Sequence, residues 1–218
     1  MNDNSPSGKR AFNRIELLVL VATAAALIGL LSFLGRVKNK PTRIMCLNNL
    51  KQLGLDFRIW SGDHHDRFPM AFYPNGPDTL KIQDGSNVFR YFQVMSNELD
   101  DLNNLTCPTD NRVPAASLSQ LADTNISYFI GLDADEIRPK MFLAGDRNFT
   151  INGAQVRAGE TVLKLGDKFG WTRKMHRNLG NVALCDGSVQ EITTAALTAA
   201  STHSMTNSGA NLTRLLFP

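Results

Sequence analysis

The 218-residue sequence predicts an α+β fold: a long N-terminal helix, transmembrane and then stalk, packed against an antiparallel β-sheet head. Three observations lead there. A basic leader ending Lys9-Arg10-Ala11-Phe12-Asn13-Arg14-Ile15-Glu16 runs into an uncharged apolar stretch from Leu17 to Leu34. Further on, Ile44, Leu47, Leu50, Leu53, Phe57 and Trp60 recur three or four apart, one stripe of an amphipathic helix. Near the C-terminus, Asp186-Gly187 separates Asn181-Val182-Ala183-Leu184-Cys185 from Ser188-Val189-Gln190-Glu191-Ile192, the pattern of a tight hairpin.

A bilayer span takes about 20 residues. Ile15 to Leu34 meets that length, and Gly35 closes it. A cleaved secretory signal would have a shorter apolar core followed by a small-residue cut site. Ser32-Phe33-Leu34-Gly35 is a poor site of that kind, so a retained anchor is expected. Glu16 stands at the start of the apolar segment, where a carboxylate is costly and therefore a functional candidate. Basic residues flank both ends (Lys9, Arg10 and Arg14; Arg36, Lys38, Lys40 and Arg43), so charge alone gives no orientation. Pro41 fits the first turn of a new helical segment or a kink in a continuous one. Arg43, Asn48, Lys51, Gln52 and Arg58 fall opposite the apolar stripe, and Ser61-Gly62-Asp63 ends it.

In the middle of the chain, 73–77 and Asp84-Gly85 read as turns. Ser86 caps a second amphipathic helix with Val88, Phe92, Met95, Leu99 and Leu102, ending near Thr106. Leu118 to Ala122 reads as a short turn. Segments 126–132 and 140–146 are strand candidates; 155–157 and 161–165 are weaker ones. A two-residue turn at Asp186-Gly187, with positive φ at both positions, pairs Leu184 with Val189 and Val182 with Glu191. That register turns Val182, Leu184 and Val189 to the core and Ala183, Cys185, Ser188 and Gln190 to a more polar face. From Thr193 a helix is expected to fray through Ser204 to Asn211, with Leu212, Leu215, Leu216 and Phe217 docking back.

A net charge of +3 selects no partner. The chain has no glycine-rich nucleotide loop and no serine nucleophile elbow, and it offers no spaced oxygen-ligand loop for calcium. Of its three cysteines, Cys46 lies on the stalk stripe and Cys107 follows the second helix and precedes Pro108. In an oxidising compartment a Cys46–Cys107 bridge would fasten head to stalk and leave Cys185 over. The alternatives are three free, partly buried thiols, or a Cys185–His176 nucleophile, which the adjoining tight turn disfavours. Asp63-His64-His65-Asp66 has metal-ligand residue types, but neighbouring side chains diverge and a closed site needs ligands from elsewhere.

Phe12, Ile15 and Glu16, preceded by small Ala11, resemble the prepilin-type cleavage/methylation signal of type IV pilins and type II secretion pseudopilins. The resemblance makes Phe12 the first mature residue and Glu16 the fifth. Ala11 stands where that family has Gly, and Arg14 where it has an apolar residue. Cys46 with Asn48-Asn49-Leu50-Lys51-Gln52, then Cys107-Pro108, then His176 ten residues before Asp186-Gly187 resemble, in that order, a pilin-like group of planctomycetes and verrucomicrobia with a C-terminal H-x9-D-G motif. A turn accounts for the Asp-Gly; for His176 the simplest idea is a hydrogen bond pinning the loop that enters the hairpin.

The resemblance implies a leader at 1–11, a transmembrane helix at 12–35, a stalk at 36–61 and an extracytoplasmic head at 62–218. It implies cleavage between Ala11 and Phe12 by a prepilin peptidase, and assembly through Phe12 and Glu16 with other pilin-like subunits. The expected location is a bacterial inner membrane, with the N-terminus cytoplasmic and the C-terminal domain periplasmic. The expected role is structural, in a type II secretion or type IV pilus-related assembly, with the lipid bilayer as a partner, no cofactor, no nucleic acid and no enzymatic activity. A singly anchored envelope protein whose head binds a partner or glycan is the alternative. An anchored metal-dependent hydrolase, resting on His64 and His65, is the third reading.

Overall fold

A computed structural model describes residues 13–35, 39–72, 86–209 and 211–218, with side chains from 13–29 and from residue 43 onward. The leader, Phe12, Arg36, Lys38 and the turns at 73–77 and Asp84-Gly85 lie outside the described residues. The chain divides into two compact units between Pro41 and Thr42. The first contains α1 (Arg14–Gly35). Its Glu16 carboxylate accepts the Asn13 backbone N–H at 3.2 Å, closing the first turn as a cap.

The predicted frame needs correction here. Among the described residues no helix is long and apolar enough to cross a membrane. Arg14 and Glu16 occupy the first turn of α1. The single-pass inner-membrane placement, with a cytoplasmic N-terminus and a periplasmic domain, is therefore not supported. Nor is the first helix a long N-terminal stalk. The helix described after α1 is α2 (Asn39–Asp63).

In the second unit, α2 buries Cys46, Leu50, Leu53, Phe57 and Trp60, while Ile44 is 60% exposed. The expected second helix is shorter than its spacing suggests. α3 (Val88–Val94) stops at Met95, and Asp101 then caps a separate 3-10 turn, Leu102–Leu105, by accepting the Asn103 N–H. A side chain that satisfies a backbone donor locally competes with helix continuation.

Nine strands follow among the described residues: β1 (Tyr128–Gly131), β2 (Phe142–Asp146), β3 (Phe149–Ile151), β4 (Ala154–Gln155), β5 (Gly159–Lys164), β6 (Phe169–Trp171), β7 (Leu179–Leu184), β8 (Val189–Thr193) and β9 (Leu212–Phe217), with α4 (Thr194–Asn207) between the last two. Six form one sheet in the order β5-β9-β1-β2-β7-β8, with antiparallel neighbours. The others form a small sheet, β4-β3-β6. The C-terminal segment docks as a strand between β5 and β1, with Arg214 paired to Asp133 at 2.6 Å.

The large sheet is covered on both faces. Tyr128, Ile130, Ala183, Cys185 and Leu216 share a core with α2 and α3. Their neighbours in sequence, Phe129, Val182, Leu184, Leu215 and Phe217, join Phe149, Trp171, Leu197 and Met205 in a second core. A strand buried on both sides reads as a continuous apolar run, with no alternation to assign its faces. This corrects the expected polar face for Ala183 and Cys185, both buried.

The hairpin register is also one residue off the expectation: Ala183 opposes Val189 and Val182 opposes Gln190. Only Gly187 of the Asp-Gly pair has positive φ, +82°, and its N–H donates to the Leu184 carbonyl at 2.9 Å. The connection is a turn followed by a left-handed glycine, a longer loop than the two-residue form.

Two glycines give predictions of opposite sign. A Cβ at Gly131 would lie 2.0 Å from the Phe142 carbonyl oxygen, whereas Gly54, inside α2, has nothing within 4 Å. Gly131→Ala is expected to destabilise by about 1–3 kcal/mol, and Gly54→Ala to stabilise by up to about 1 kcal/mol, both read from urea midpoints.

Asp56 of α2 is 1% exposed, and burial raises its carboxyl from 3.8 to about 6 despite the hydrogen bond from Gln52 at 3.0 Å. The folded chain thus holds a proton that the unfolded chain has already released, so this contribution is complete below about pH 4 and is lost as pH rises toward 6. Asp56→Asn should gain stability relative to the parent between pH 4 and pH 7; an equal offset at both pH values refutes this.

Candidate functional site

The site begins on α2. Cys46, on its buried face, is bridged to Cys107, which follows the Asp101-capped turn; their Cα atoms are 4.9 Å apart. The bridge closes a separation of 61 residues, worth about 4 kcal/mol by loop-closure entropy. One turn along α2, the Asn49 amide donates to the Thr106 carbonyl at 3.0 Å.

His176 comes to the same place from the loop between β6 and β7. Arg177 and Asn178 have φ of 55° and 68°, a tight turn that swings the chain into β7. The Asn148 amide holds both sides of the loop, donating to the Thr172 and Leu179 carbonyls at 3.2 and 3.3 Å. The imidazole is buried against the bridge, with Nε2 3.3 Å from Cys107 Sγ, 3.3 Å from Asp146 Oδ2 and 3.3 Å from the Asn181 amide nitrogen. Thr109 Oγ1 lies 3.0 Å from Cys107 Sγ and 3.4 Å from His176 Nδ1.

Asp146, the last residue of β2, is fully buried. Its Oδ2 accepts the Asn181 backbone N–H at 2.6 Å and side-chain amide at 3.0 Å, while Oδ1 has no hydrogen-bond partner. Burial raises its carboxyl to about 7, against the pull of Asn181's hydrogen bonds. Burial likewise lowers His176, with Arg43 nearby adding to the effect. The contact has ion-pair distance, but burial drives both groups toward their neutral forms. Next door, Arg147 grips Asp110 at 2.7 Å with two nitrogens, and Ser127 donates to it at 2.8 Å. Burial would raise Asp110; these bonds outweigh it and hold the carboxyl below its usual value.

Asp186 and Gly187 meet the other end of α2. Arg58 donates to the Asp186 carbonyl at 3.0 Å, and Lys140 reaches the Asp186 carboxylate at 3.0 Å. Hydrogen bonds from Ser188, with Lys140, hold that carboxyl below its usual value although partial burial opposes them. The spacing now has a physical meaning. The six residues of β7 span about 20 Å, and Cys46 to Arg58 on α2 spans about 18 Å. His176 and Asp186-Gly187 are the two ends of a strand laid along the helix, each end tied to it.

The remaining candidates lie elsewhere. Ala11 and Phe12 are outside the described residues. Glu16 caps α1. Cys185 is a free, buried thiol pushed up to about 12 by burial, so it is a poor nucleophile. His176 faces Cys107 instead. His64 turns back on its own helix, with Nδ1 2.7 Å from the Trp60 carbonyl and the ring stacked on Trp60 at 3.7 Å. His65 and Asp66 have positive φ and form the turn after α2. No motif marked Asp146, Asn181 or Thr109 as site residues. They lie on separate elements, and the only trace was a strand candidate ending in an aspartate.

As built, the cluster fastens α2 to the sheet. The ligand atoms of Cys46, Cys107 and His176 lie within 4.8 Å of one another, a metal-ligand set whose sulfurs are engaged while the bridge is closed. No protein-family model, curated protein or solved structure matches the chain.

The His176–Asp146 contact predicts a coupling of about 1 kcal/mol or more in a double-mutant cycle of His176→Ala and Asp146→Asn. It is measured by urea unfolding at pH 7; additivity within about 0.3 kcal/mol would mean the two side chains do not interact.

Proposed function

We propose that the chain is a structural, non-enzymatic, pseudopilin-like subunit of a type II secretion or type IV pilus-related assembly, matured by a prepilin peptidase between Ala11 and Phe12. The observation that carries this reading is the convergence of the three motif segments on one helix. Cys46 of α2, Cys107 and His176 meet around the bridge, and Asp186-Gly187 meets Arg58. Residues far apart in sequence thus serve one mechanical task, holding α2 against the sheet. That supports the likeness to the H-x9-D-G group as a likeness of construction. The buried, bridged and hydrogen-bonded state of these groups favours a scaffold over a catalytic site.

A subunit also needs a face for its neighbours. On the side of α2 turned from the core, Ile44, Leu55 and Ile59 are exposed by 60%, 49% and 49%. At 3.6 residues per turn these three share one side of the helix. The partner this reading assigns to the face is the equivalent helix of another pilin-like subunit.

Photo-crosslinkers at Leu55 and Ile59 test the reading in cells that make the assembly. They are expected to capture pilin-like subunits, whereas one at Ile137, 79% exposed and outside α2, is not. Capture from Ile137 equal to that from Leu55 and Ile59, or no subunit captured from α2, would refute it.

A further inference from the structure

Once the bridge is reduced, its two sulfurs and the imidazole form a metal donor set. Cys107 Sγ to His176 Nε2 is 3.3 Å, and His176 Nε2 to Asp146 Oδ2 is 3.3 Å. Around a tetrahedral zinc ion, with bonds of about 2.3 Å to sulfur and about 2.0 Å to nitrogen or oxygen, ligand atoms stand about 3.3–3.8 Å apart. One edge of such a tetrahedron, Cys107 Sγ to His176 Nε2, therefore already exists, the Asp146 carboxylate adjoins it, and Cys46 Sγ lies within 4.8 Å of the other two ligand atoms of its group. To complete the set the two sulfurs have to separate and a carboxylate oxygen of Asp146 has to move in toward them.

A second, independent observation points to a ligand. Asp146 is fully buried, and its Oδ1 has no hydrogen-bond partner. An orphaned carboxylate oxygen in a dry site is costly unless something binds it. The supports a metal site needs are also present. Asn181 fixes the Asp146 carboxylate with two hydrogen bonds. Two sulfurs, an imidazole and a carboxylate, all buried with no position left open, suit structural zinc better than a hard cation.

We propose that in the reduced chain Cys46, Cys107, His176 and Asp146 bind one zinc ion, so that a disulfide and a zinc ion are alternative closures of the same junction. A dithiol reductant gives two electrons and two protons to the Cys46–Cys107 bond; that bond breaks, two thiols form, and the reductant becomes a cyclic disulfide. Zinc then displaces both thiol protons, and the carboxyl proton where Asp146 carries it, to solvent, and is held by two thiolates, the neutral imidazole and the carboxylate. A small-molecule disulfide takes two electrons from the two thiolates and is itself cleaved to two thiolates, so the Cys46–Cys107 bond re-forms and the zinc ion is released. Cys185 takes no part: it lies beside the hairpin turn, and its backbone N–H donates to the Met141 carbonyl at 3.0 Å.

The test uses the full chain, reduced with a dithiol, freed of it by gel filtration without air, and titrated with zinc or with cobalt as a coloured stand-in. One metal ion per reduced chain is expected, with the sulfur-to-cobalt charge-transfer bands of two thiolates, and none in the oxidised chain. Cys185→Ser should behave as the parent. His176→Ala should weaken binding by at least about 100-fold, beyond what loss of a supporting residue costs. His176→Cys, which replaces one ligand by another, should restore it with a stronger sulfur band. Equal metal content in oxidised and reduced chains, no binding by the reduced parent, or affinity unchanged in His176→Ala overturns the proposal. Should His176→Ala fail to fold, a His176→Cys spectrum identical to the parent's overturns it equally.

Discussion

The fastening of α2 to the large sheet is the constraint on which the rest of the second unit depends. An amphipathic helix of this kind gains little from its own hydrogen bonds and is held by burying one face. Here Leu50, Leu53, Phe57 and Trp60 supply the burial, and the Cys46–Cys107 bridge fixes where along the sheet it happens. His176 closes over the bridge at one end, and Asp186-Gly187 receives Arg58 at the other. Strand β7 is thereby held in register with the helix, and through β7 so are its neighbours β2 and β8.

The two-sided burial of the sheet follows from this arrangement. One face is taken by α2 and α3, so the other must be covered by what remains of the chain: α4 and the small sheet. The aromatic residues gather there, with Phe129, Phe149 and Phe217 within about 6 Å of one another, centroid to centroid. The polar groups of the junction, Asp146, Asn181 and His176, lie at the sheet end where β2 finishes and β7 begins. A polar cluster so deeply buried costs stability unless its members satisfy one another. Asn181 does most of that by donating twice to Asp146.

These features differ in how legible they were in the sequence. The buried stripe of α2 could be read because three-and-four spacing survives wherever one helix face is covered. Ile44 matched the stripe by spacing yet faces outward, because the core contact begins only at Cys46. The faces of β7 could not be read, since both are apolar. The hairpin register slipped by one residue because Asp-Gly suits a turn with a left-handed glycine as well as the two-residue form. β3 and β6 are three residues each and carry no alternation to detect. The early apolar run suggested a spanning helix followed by a stalk; α1 is capped by Glu16, and no described helix meets the requirements of a span. The site was hardest of all. His176, Asp146 and Asn181 meet only through the pairing of β2 with β7, which no local pattern encodes.

Disulfide mapping of the unreduced chain by mass spectrometry tests the central claim most directly, because the whole junction is built around one covalent link. The account predicts a single bridged peptide pair joining Cys46 to Cys107, and Cys185 as a thiol that alkylates only after unfolding. A bridge involving Cys185, or three free thiols in chain isolated under oxidising conditions, would contradict it.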